Sequence, residues 1–191
     1  SYPGTPSTEI FEAVEQLAGE AGVVAHWTAN EKTAYEAALG VSLAGRRALV
    51  SMKHVGLNVA ADAFINSALV DITGGLVVAV ADDPGMHSSQ NEQDSRYLAD
   101  FARIVCLEPS SQQEAYEMTR EAFELSERFS VPVMIRLVTR LCHSRARVAP
   151  VPPIPQQPLA KAAERADWTL LPGNSRRLWR RLLDAQDEFR A

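Results

Sequence analysis

The sequence of 191 residues has few cysteines, no excess of positive charge and no long apolar run, and each shortage excludes a class of protein. Two cysteines are too few for a four-thiolate iron–sulfur cluster or an all-cysteine zinc site. The absence of a disulfide framework favours a cytoplasmic location. No apolar run approaches the roughly 18 residues that a membrane-spanning helix needs, and no secretory leader is visible. The net charge of −5 and the pI of about 5.4 disfavour nucleic acid as a partner.

Common signatures of nucleotide, hydrolase and redox sites are absent as well. The sequence contains no Gly-x-x-x-x-Gly-Lys-Ser/Thr, Gly-x-Gly-x-x-Gly, Gly-x-Ser-x-Gly or Cys-x-x-Cys motif. Hydrophobic residues make up 46% of the chain, which is typical of a globular protein. The length supports one domain, or one domain with an appendage.

Residues 1–145 alternate between strand and helix patterns. Apolar runs predict five strands, at residues 23–27, 48–52, 76–81, 104–107 and 131–138. One helix is predicted before the first strand, after an N-cap at Thr5. Three more are predicted between the strands: one from Asn30 to Ala44, one over residues 57–70 and one ending near residue 129. Either Ser110 with Gln113 or Ser111 with Glu114 supplies the capping box of the last helix. This alternation predicts an α/β fold, with a mostly parallel sheet and helices on both faces.

The composition changes near residue 145. Five of the eleven prolines lie between Pro150 and Pro158, so residues 146–160 are predicted to form an extended linker. Residues 161–191 form a third segment, in which an amphipathic helix is predicted over residues 174–191, with Asn174 as its N-cap. We expect this tail to dock on a neighbouring domain, and we interpret its arginines as a solvated face rather than a nucleic-acid patch.

Ligands of parallel sheets bind beyond the carboxyl ends of the strands, so residues that follow the strands are the candidates for a site. Glu31 follows the first predicted strand. It is either an acid or base at the ligand-binding edge or a first-turn glutamate that complements the helix dipole. Lys53 and His54 follow the second strand. They either contact an anionic substrate or are a solvated amine and a locally hydrogen-bonded imidazole.

Residues 82–94 form a long polar loop after a buried strand, and loops of this length in compact domains are usually functional or disordered. The spacing of its acidic residues and His87 matches no metal-binding motif, so no metal site is assigned to this chain. We expect the loop to close over a ligand or to contact a partner domain.

Five motifs, in order along the chain, carry a family resemblance. They are Tyr-Pro-Gly-Thr-Pro-Ser-Thr-Glu (2–9), Asn-Glu-Lys (30–32), Ala-Leu-Gly-Val-Ser-Leu-Ala-Gly (38–45), Met-Lys-His-Val-Gly-Leu-Asn-Val-Ala-Ala-Asp (52–62) and Asp-Asp-Pro-Gly-Met-His-Ser-Ser-Gln-Asn-Glu-Gln-Asp (82–94). Together they resemble the alpha (large) subunit of indolepyruvate:ferredoxin oxidoreductase, a thiamine-diphosphate-dependent 2-oxoacid:ferredoxin oxidoreductase. The resemblance covers about residues 1–145 and continues more loosely through residues 170–174.

The resemblance implies that residues 1–145 are the pyrimidine-binding domain of a thiamine enzyme. Glu31 matches the glutamate that hydrogen-bonds the aminopyrimidine ring and so promotes loss of the thiazolium C2 proton. Gly40 lies in the small-residue helix behind it, which leaves room for a flat ring and is assigned to cofactor binding. Thr5 matches a threonine that faces the substrate, and Lys53, His54 and His87 are further substrate-side candidates.

The resemblance also implies the reaction and the partners. The implied reaction is the oxidative decarboxylation of an aryl pyruvate to an aryl-acetyl coenzyme A, with electrons passed to ferredoxin. The implied partners are a pyrophosphate-binding domain and a beta subunit, with which the chain would form an oligomer. The Gly-Asp-Gly…Asn metal motif, the cysteine-rich segment and the elements before the first motif are not in these 191 residues. We therefore expect an N-terminally truncated chain, inactive alone, whose Mg²⁺ and 4Fe-4S clusters are held elsewhere in the enzyme.

Two other interpretations stay open at this point. The chain is a non-catalytic, stand-alone assembly module of the same fold, or it serves another thiamine-dependent 2-oxoacid oxidoreductase or decarboxylase.

Overall fold

The computed structural model describes residues 1–155 and 168–190. Within them, four strands form one parallel sheet in the order β1-β2-β4-β3: β1 Ala48–Lys53, β2 Leu76–Asp82, β3 Cys106–Leu107 and β4 Val133–Val138. The helices are α1 Thr8–Ala21, α2 Glu31–Leu43, α3 His54–Ser67, α4 Arg96–Ala102, α5 Gln112–Phe129, α6 Thr139–Cys142, α7 Pro172–Asp184 and α8 Gln186–Arg190. None of these helices is long and apolar enough to cross a membrane.

Alternate side chains of each strand point to opposite faces of the sheet, so both faces present apolar residues. Helices cover both faces. Val78, Val80 and Met134 belong to a core shared with α2 and α3. Val77 and Ile135 belong to a second core, on the side of α5. Every residue of β2 is buried, as expected of a central parallel strand. The predicted α/β fold with helices on both faces is confirmed.

Two of the predicted helix starts are confirmed by their hydrogen bonds. The Asn30 side chain accepts a bond from the backbone N–H of Thr33 at 2.9 Å, which caps α2. The Ser111 hydroxyl accepts from the N–H of Glu114 at 3.2 Å, which selects Ser111 rather than Ser110 as the cap of α5. The Glu114 carboxylate accepts from both the N–H and the hydroxyl of Ser110, at 2.7 Å each.

Two predictions near the start of the chain are wrong. Thr5 is not an N-cap, because residues 4–7 form a turn first, in which Gly4 O accepts from the N–H of Ser7 at 2.8 Å. The helix then begins at Thr8 with Ser7 as its N-cap. Residues 23–27 form no strand. The hydrogen bonds between this segment and Ser1 are isolated: the amino group of Ser1 donates to His26 O at 3.4 Å, and the carbonyl of Ser1 accepts from the N–H of Thr28 at 3.0 Å. A strand needs a continuous neighbour, and a single residue does not supply one.

The C-terminal helix is present, but its start and its docking surface differ from the prediction. α7 begins at Pro172, and the Asn174 side chain donates to Thr169 O at 3.0 Å instead of capping the helix. Leu182 belongs to the core shared with α2 and α3, so α7 packs on this same domain, and Leu178 is buried as well. Docking of the tail on a neighbouring domain stays a prediction. Arg181 pairs with Asp71 at 2.7 Å. Residues 146–155 of the proline-rich segment are irregular; residues 156–167, on which the rest of the linker and tail predictions fall, lie outside the described residues.

Candidate functional site

Polar residues meet at one edge of the sheet, where three strands end side by side. Lys53 ends β1 opposite Ala81, and Asp82 ends β2 opposite Val138 of β4. The next residues along the chain are therefore His54, Asp83 and Thr139. Because parallel strands end at the same edge, residues far apart in sequence are brought within contact distance here.

Glu31 lies at the start of α2, where it contacts α3. Its carboxyl group packs on Gly56: a Cβ atom built at Gly56 would lie 2.5 Å from Glu31 Oε1 and 2.9 Å from its carboxyl carbon. The side chain is half-buried. Within residues 1–155 and 168–190, no group donates a hydrogen bond to this carboxylate or forms an ion pair with it.

This arrangement fits a group that presents an N–H to a carboxylate. Glu31 is an acceptor with both oxygens available, and Gly56 provides space that any other residue would fill. A first-turn glutamate that served only the helix dipole would need neither the glycine nor the close contact with α3. Glu31 and Gly56 are therefore suited to hold a flat ring that donates an N–H.

Lys53 and His54 fix the polar loop of residues 82–94. Lys53 Nζ donates to Ser88 O at 3.1 Å, and its side-chain stem packs against Gly4. His54 Nε2 lies 3.1 Å from Asn91 O, while the buried Nδ1 has no hydrogen-bond partner among the described residues. Both side chains position the loop in this structure. Their assignment to the substrate stays a prediction.

Asp83 anchors the first half of the same loop. Its carboxylate accepts hydrogen bonds from Thr139 Oγ1, the N–H of Ser88 and Ser89 Oγ, each at 2.7 Å. Burial alone raises the pKa of Asp83, but the hydrogen bonds from Thr139, Ser88 and Ser89 outweigh it and hold the pKa well below its ordinary value of 3.8. Asp83 is therefore a fixed anion that shapes the loop.

Asp82 anchors the far end of the loop. Its buried carboxylate accepts from the N–H of Ser95 at 3.0 Å and from Arg136 Nε at 2.7 Å. Arg136, on β4, also hydrogen-bonds Glu108. This network joins the ends of β2, β3 and β4, so it holds both the loop and the edge of the sheet in one geometry.

Thr5 and His87 meet at a cavity of about 640 Å³ between the first motif, the loop and α6. Thr139, Arg140 and His143 line its other side. The loop and the first motif are joined by a hydrogen bond of 3.3 Å from Ser88 Oγ to Thr5 O. The structure thus brings together two of the predicted substrate residues, while Glu31 does not line this cavity.

Gly40 lies away from these groups. It is nine residues beyond Glu31, which is about 13 Å along a helix. It is exposed, and a Cβ atom built there would have nothing within 4 Å. The assignment of Gly40 to cofactor binding stays a prediction.

Sequence reasoning missed several residues of this edge. Arg136 sits inside the apolar run Val-Pro-Val-Met-Ile-Arg-Leu-Val, and that single charge in a buried strand was the available signal. Arg140 and His143 follow the same strand, at the position where ligands bind, yet neither was singled out.

Neither the acidic residues nor the cysteines form a metal site in the described part of the chain. No group of three or more His, Cys, Asp and Glu side chains is close enough there to hold a metal ion. Burial raises the pKa of the Cys106 thiol to about 11 and that of Cys142 to about 12, so neither has thiolate character at neutral pH.

Comparisons with known sequences point to one family. The family profile described as pyruvate flavodoxin/ferredoxin oxidoreductase, thiamine diphosphate-binding, matches residues 1–173. The chain is 53% identical over 148 residues to the indolepyruvate oxidoreductase subunit IorA of Pyrococcus horikoshii, across 78% of this chain and 23% of that protein. It is 42% identical over 194 residues to subunit IorA of Methanothermobacter thermautotrophicus, across 100% of this chain and 31% of that protein. The chain thus spans about a quarter to a third of the length of these relatives.

Solved structures support the fold. The 2-oxoglutarate:ferredoxin oxidoreductase from Magnetococcus marinus superposes with a TM-score of 0.73 at 17% identity, over 97% of this chain and 40% of that chain. A thiamine diphosphate-dependent 4-hydroxybenzoylformate decarboxylase from Rhodococcus jostii gives a TM-score of 0.56 at 19% identity, over 78% of this chain and 28% of that chain. At these identities the likeness shows a shared fold alone.

Proposed function

The chain belongs to the thiamine-diphosphate-binding domain family of the pyruvate flavodoxin/ferredoxin oxidoreductases, and we propose that it is the pyrimidine-binding part of an indolepyruvate:ferredoxin oxidoreductase alpha subunit. One observation carries the proposal: the Glu31 carboxylate, half-buried against Gly56, has no partner among the described residues. The names of the relatives support indolepyruvate as the substrate.

Bound thiamine diphosphate supplies the electron sink that a 2-oxoacid needs in order to lose its carboxyl group. With the cofactor bound, Glu31 would accept a hydrogen bond from the aminopyrimidine ring and would hold a proton there, which is a general acid–base role. Gly56 keeps the space beside that carboxylate free of side-chain atoms. Lys53 and His54 hold the loop that carries His87 next to Thr5, so that this loop bounds the cavity that these two residues line.

The rest of the enzyme completes the reaction in this proposal. Residues 1–145 bind the pyrimidine, and a pyrophosphate-binding domain outside these residues holds the other end of the cofactor with Mg²⁺. In the complete enzyme, indolepyruvate and coenzyme A would give indole-acetyl coenzyme A and carbon dioxide, and 4Fe-4S clusters held by other parts of the enzyme would serve to pass the two electrons to ferredoxin. The beta subunit completes the assembly, which we place in the cytoplasm because Cys106 and Cys142 are both free thiols.

The test replaces Glu31 in the complete enzyme and measures turnover of indolepyruvate. We expect Glu31→Gln to lower kcat by about 100-fold or more, because general acid–base groups contribute on the order of 10² to 10⁴ in rate. Glu36→Gln is the matched control, since Glu36 lies on the same helix, is exposed and, among the residues that the structure describes, pairs only with Lys32. Equal turnover in the two variants would remove Glu31 from the cofactor site.

A further inference from the structure

His54 stands at the junction of β1 and α3, and its side chain is fully buried. The local hydrogen bond expected of a structural histidine is not formed among the described residues. Nε2 instead lies 3.1 Å from Asn91 O, 37 residues further along the chain, in the polar loop of residues 82–94. Because that oxygen only accepts, Nε2 carries the proton and Nδ1 carries the lone pair.

The imidazole of His54 is costly to bury at this position unless the loop needs it. Nδ1 has no hydrogen-bond partner within the described part of the chain, and an unpaired buried polar atom lowers the stability of a fold. A leucine would fill similar space without an unpaired atom. The bond to Asn91 O is therefore the interaction that accounts for a histidine here.

The turn of α3 that begins with His54 also contacts Glu31. Gly56 lies two residues after His54, and a Cβ atom built on it would lie 2.5 Å from Glu31 Oε1 and 2.6 Å from Glu31 Cγ. No donor in residues 1–155 and 168–190 holds the Glu31 carboxylate. Its position thus depends on packing against this turn, so a shift of the turn moves the carboxylate.

Lys53 contacts the same loop in a different way. Its Nζ donates to Ser88 O at 3.1 Å at an exposed position, and its backbone is the end of β1. β1 pairs along its length with β2, so the backbone of Lys53 is fixed independently of the loop. Loss of the bond to Ser88 should therefore loosen the loop there without moving the first turn of α3.

We propose that His54 is a positioning residue that couples the loop of residues 82–94 to the Glu31 carboxylate. With the loop in place, Asn91 O holds the imidazole, the imidazole holds the first turn of α3, and Gly56 in that turn holds the carboxylate where it meets the cofactor. When the loop leaves this position, the turn relaxes and the carboxylate is no longer aligned. The proposal rests on the proposed function, and it gives His54 a role other than the predicted substrate contact.

The experiment uses the complete enzyme with thiamine diphosphate bound and no substrate, and it has two readouts. Exchange of backbone amide hydrogens, followed by mass spectrometry, reports on the loop. Deuterium exchange at the thiazolium C2 reports on Glu31. We expect His54→Leu to speed amide exchange around Asn91 by about 10-fold and to slow exchange at C2 by about 10-fold, as for one lost hydrogen bond. His54→Gln, whose amide N–H reaches about as far as Nε2, should recover most of both losses.

Two control variants isolate the coupling. Lys53→Met should speed amide exchange near Ser88 and leave exchange at C2 at the wild-type rate. Ser126→Ala removes a buried hydroxyl at the amino end of the sheet, which accepts from the N–H of Leu76 and donates to Val131 O, so it lowers stability without touching the junction at His54. Ser126→Ala should change neither readout.

The outcomes separate this proposal from the function on which it rests. Exchange at C2 at the wild-type rate in His54→Leu, with the loop loosened and the cofactor bound, overturns the coupling. An equal slowing at C2 in Lys53→Met or Ser126→Ala also overturns it, because the effect then does not pass through His54. A loop that keeps its wild-type protection in His54→Leu has the same consequence. Failure of the proposed function appears elsewhere, as wild-type exchange at C2 in Glu31→Gln.

Discussion

Polar side chains lie at both ends of the sheet, and the two ends differ in whether every buried polar atom there has a hydrogen-bond partner among the described residues. At the amino end, Ser42 donates to Gly74 O, and Ser126 accepts from the N–H of Leu76 and donates to Val131 O. At the carboxyl end, Glu31 has no partner among the described residues, and the two buried side-chain atoms without a hydrogen bond, Glu9 Oε2 and His54 Nδ1, both lie near the strand ends.

The unpaired polar atoms at the carboxyl end of the sheet indicate that this end serves ligand binding, whereas the amino end serves stability. An unpaired buried polar atom costs about 1–3 kcal/mol of folding free energy, so such atoms persist mainly where something else justifies them. The amino end holds the sheet together through satisfied bonds. The carboxyl end keeps acceptors available, as a binding site requires. Substitutions at the amino end should therefore change stability alone, and those at the carboxyl end should change ligand binding too.

The largest effect is expected from Gly74→Ala at the amino end. A Cβ atom at residue 74 would lie 2.2 Å from Arg46 O and 2.5 Å from Arg46 C, and backbone atoms cannot give way as a flexible side chain does. We expect the free energy of unfolding to fall by about 3 kcal/mol or more, as for other overpacking substitutions. Urea denaturation checks this, with Gly19→Ala, which has open space, as the control. A loss of affinity for thiamine diphosphate in the folded Gly74→Ala variant would contradict the claim that the amino end of the sheet affects stability alone.

A smaller effect that depends on pH is expected from Asp83→Asn at the carboxyl end. The pKa of Asp83 is lowered by folding, so the ionised carboxylate stabilises the folded state fully above 3.8, the ordinary pKa. That contribution is lost as the pH falls below 3.8 towards the folded-state pKa. We expect Asp83→Asn to cost about 2 kcal/mol at pH 7.

The cost of Asp83→Asn should shrink as the pH falls below 3.8, and urea denaturation at pH 7 and pH 3 measures both values. Asp100→Asn is the control, because Asp100 is exposed and its side chain makes no ion pair or hydrogen bond with the described residues. A cost that is the same at both pH values would contradict the role of the Asp83 charge. KM for indolepyruvate should rise in Asp83→Asn as the loop loosens.

The smallest effect is expected from Gly40→Ala. The position is helical and open, so alanine should raise the free energy of unfolding by about 0.5–1 kcal/mol, as it should at Gly19. If Gly40 contacts the cofactor, the affinity for thiamine diphosphate should fall in Gly40→Ala and stay unchanged in Gly19→Ala. Equal affinity in the two alanine variants, measured by titration of the complete enzyme with thiamine diphosphate, would remove Gly40 from the site.

The sequence was informative where one local pattern decides the structure. Asn30 and Ser111 were found as helix caps because a cap depends on residues within one turn. The buried strand β2 followed from an unbroken apolar run. The predicted strand at residues 23–27 failed because a strand needs a neighbour, and neighbours are not visible in a local pattern.

The site was predictable in part, for the same reason. Glu31, Thr5 and His87 were singled out from motifs of a known family together with their positions at or near the strand ends. The unpaired state of Glu31 and its contact with Gly56 depend on two helices meeting, which no spacing in the sequence reports. Arg136 was missed because its role depends on partners more than 25 residues away.

The most direct test of the central claim is deuterium exchange at the thiazolium C2 of thiamine diphosphate bound to the complete enzyme, measured without substrate. The reaction of indolepyruvate then plays no part, so the measurement reports on the cofactor and Glu31 alone. We expect Glu31→Gln to slow the exchange by about 100-fold or more, while Glu36→Gln exchanges at the wild-type rate. Exchange at the wild-type rate in Glu31→Gln, with the cofactor fully bound, would contradict the account.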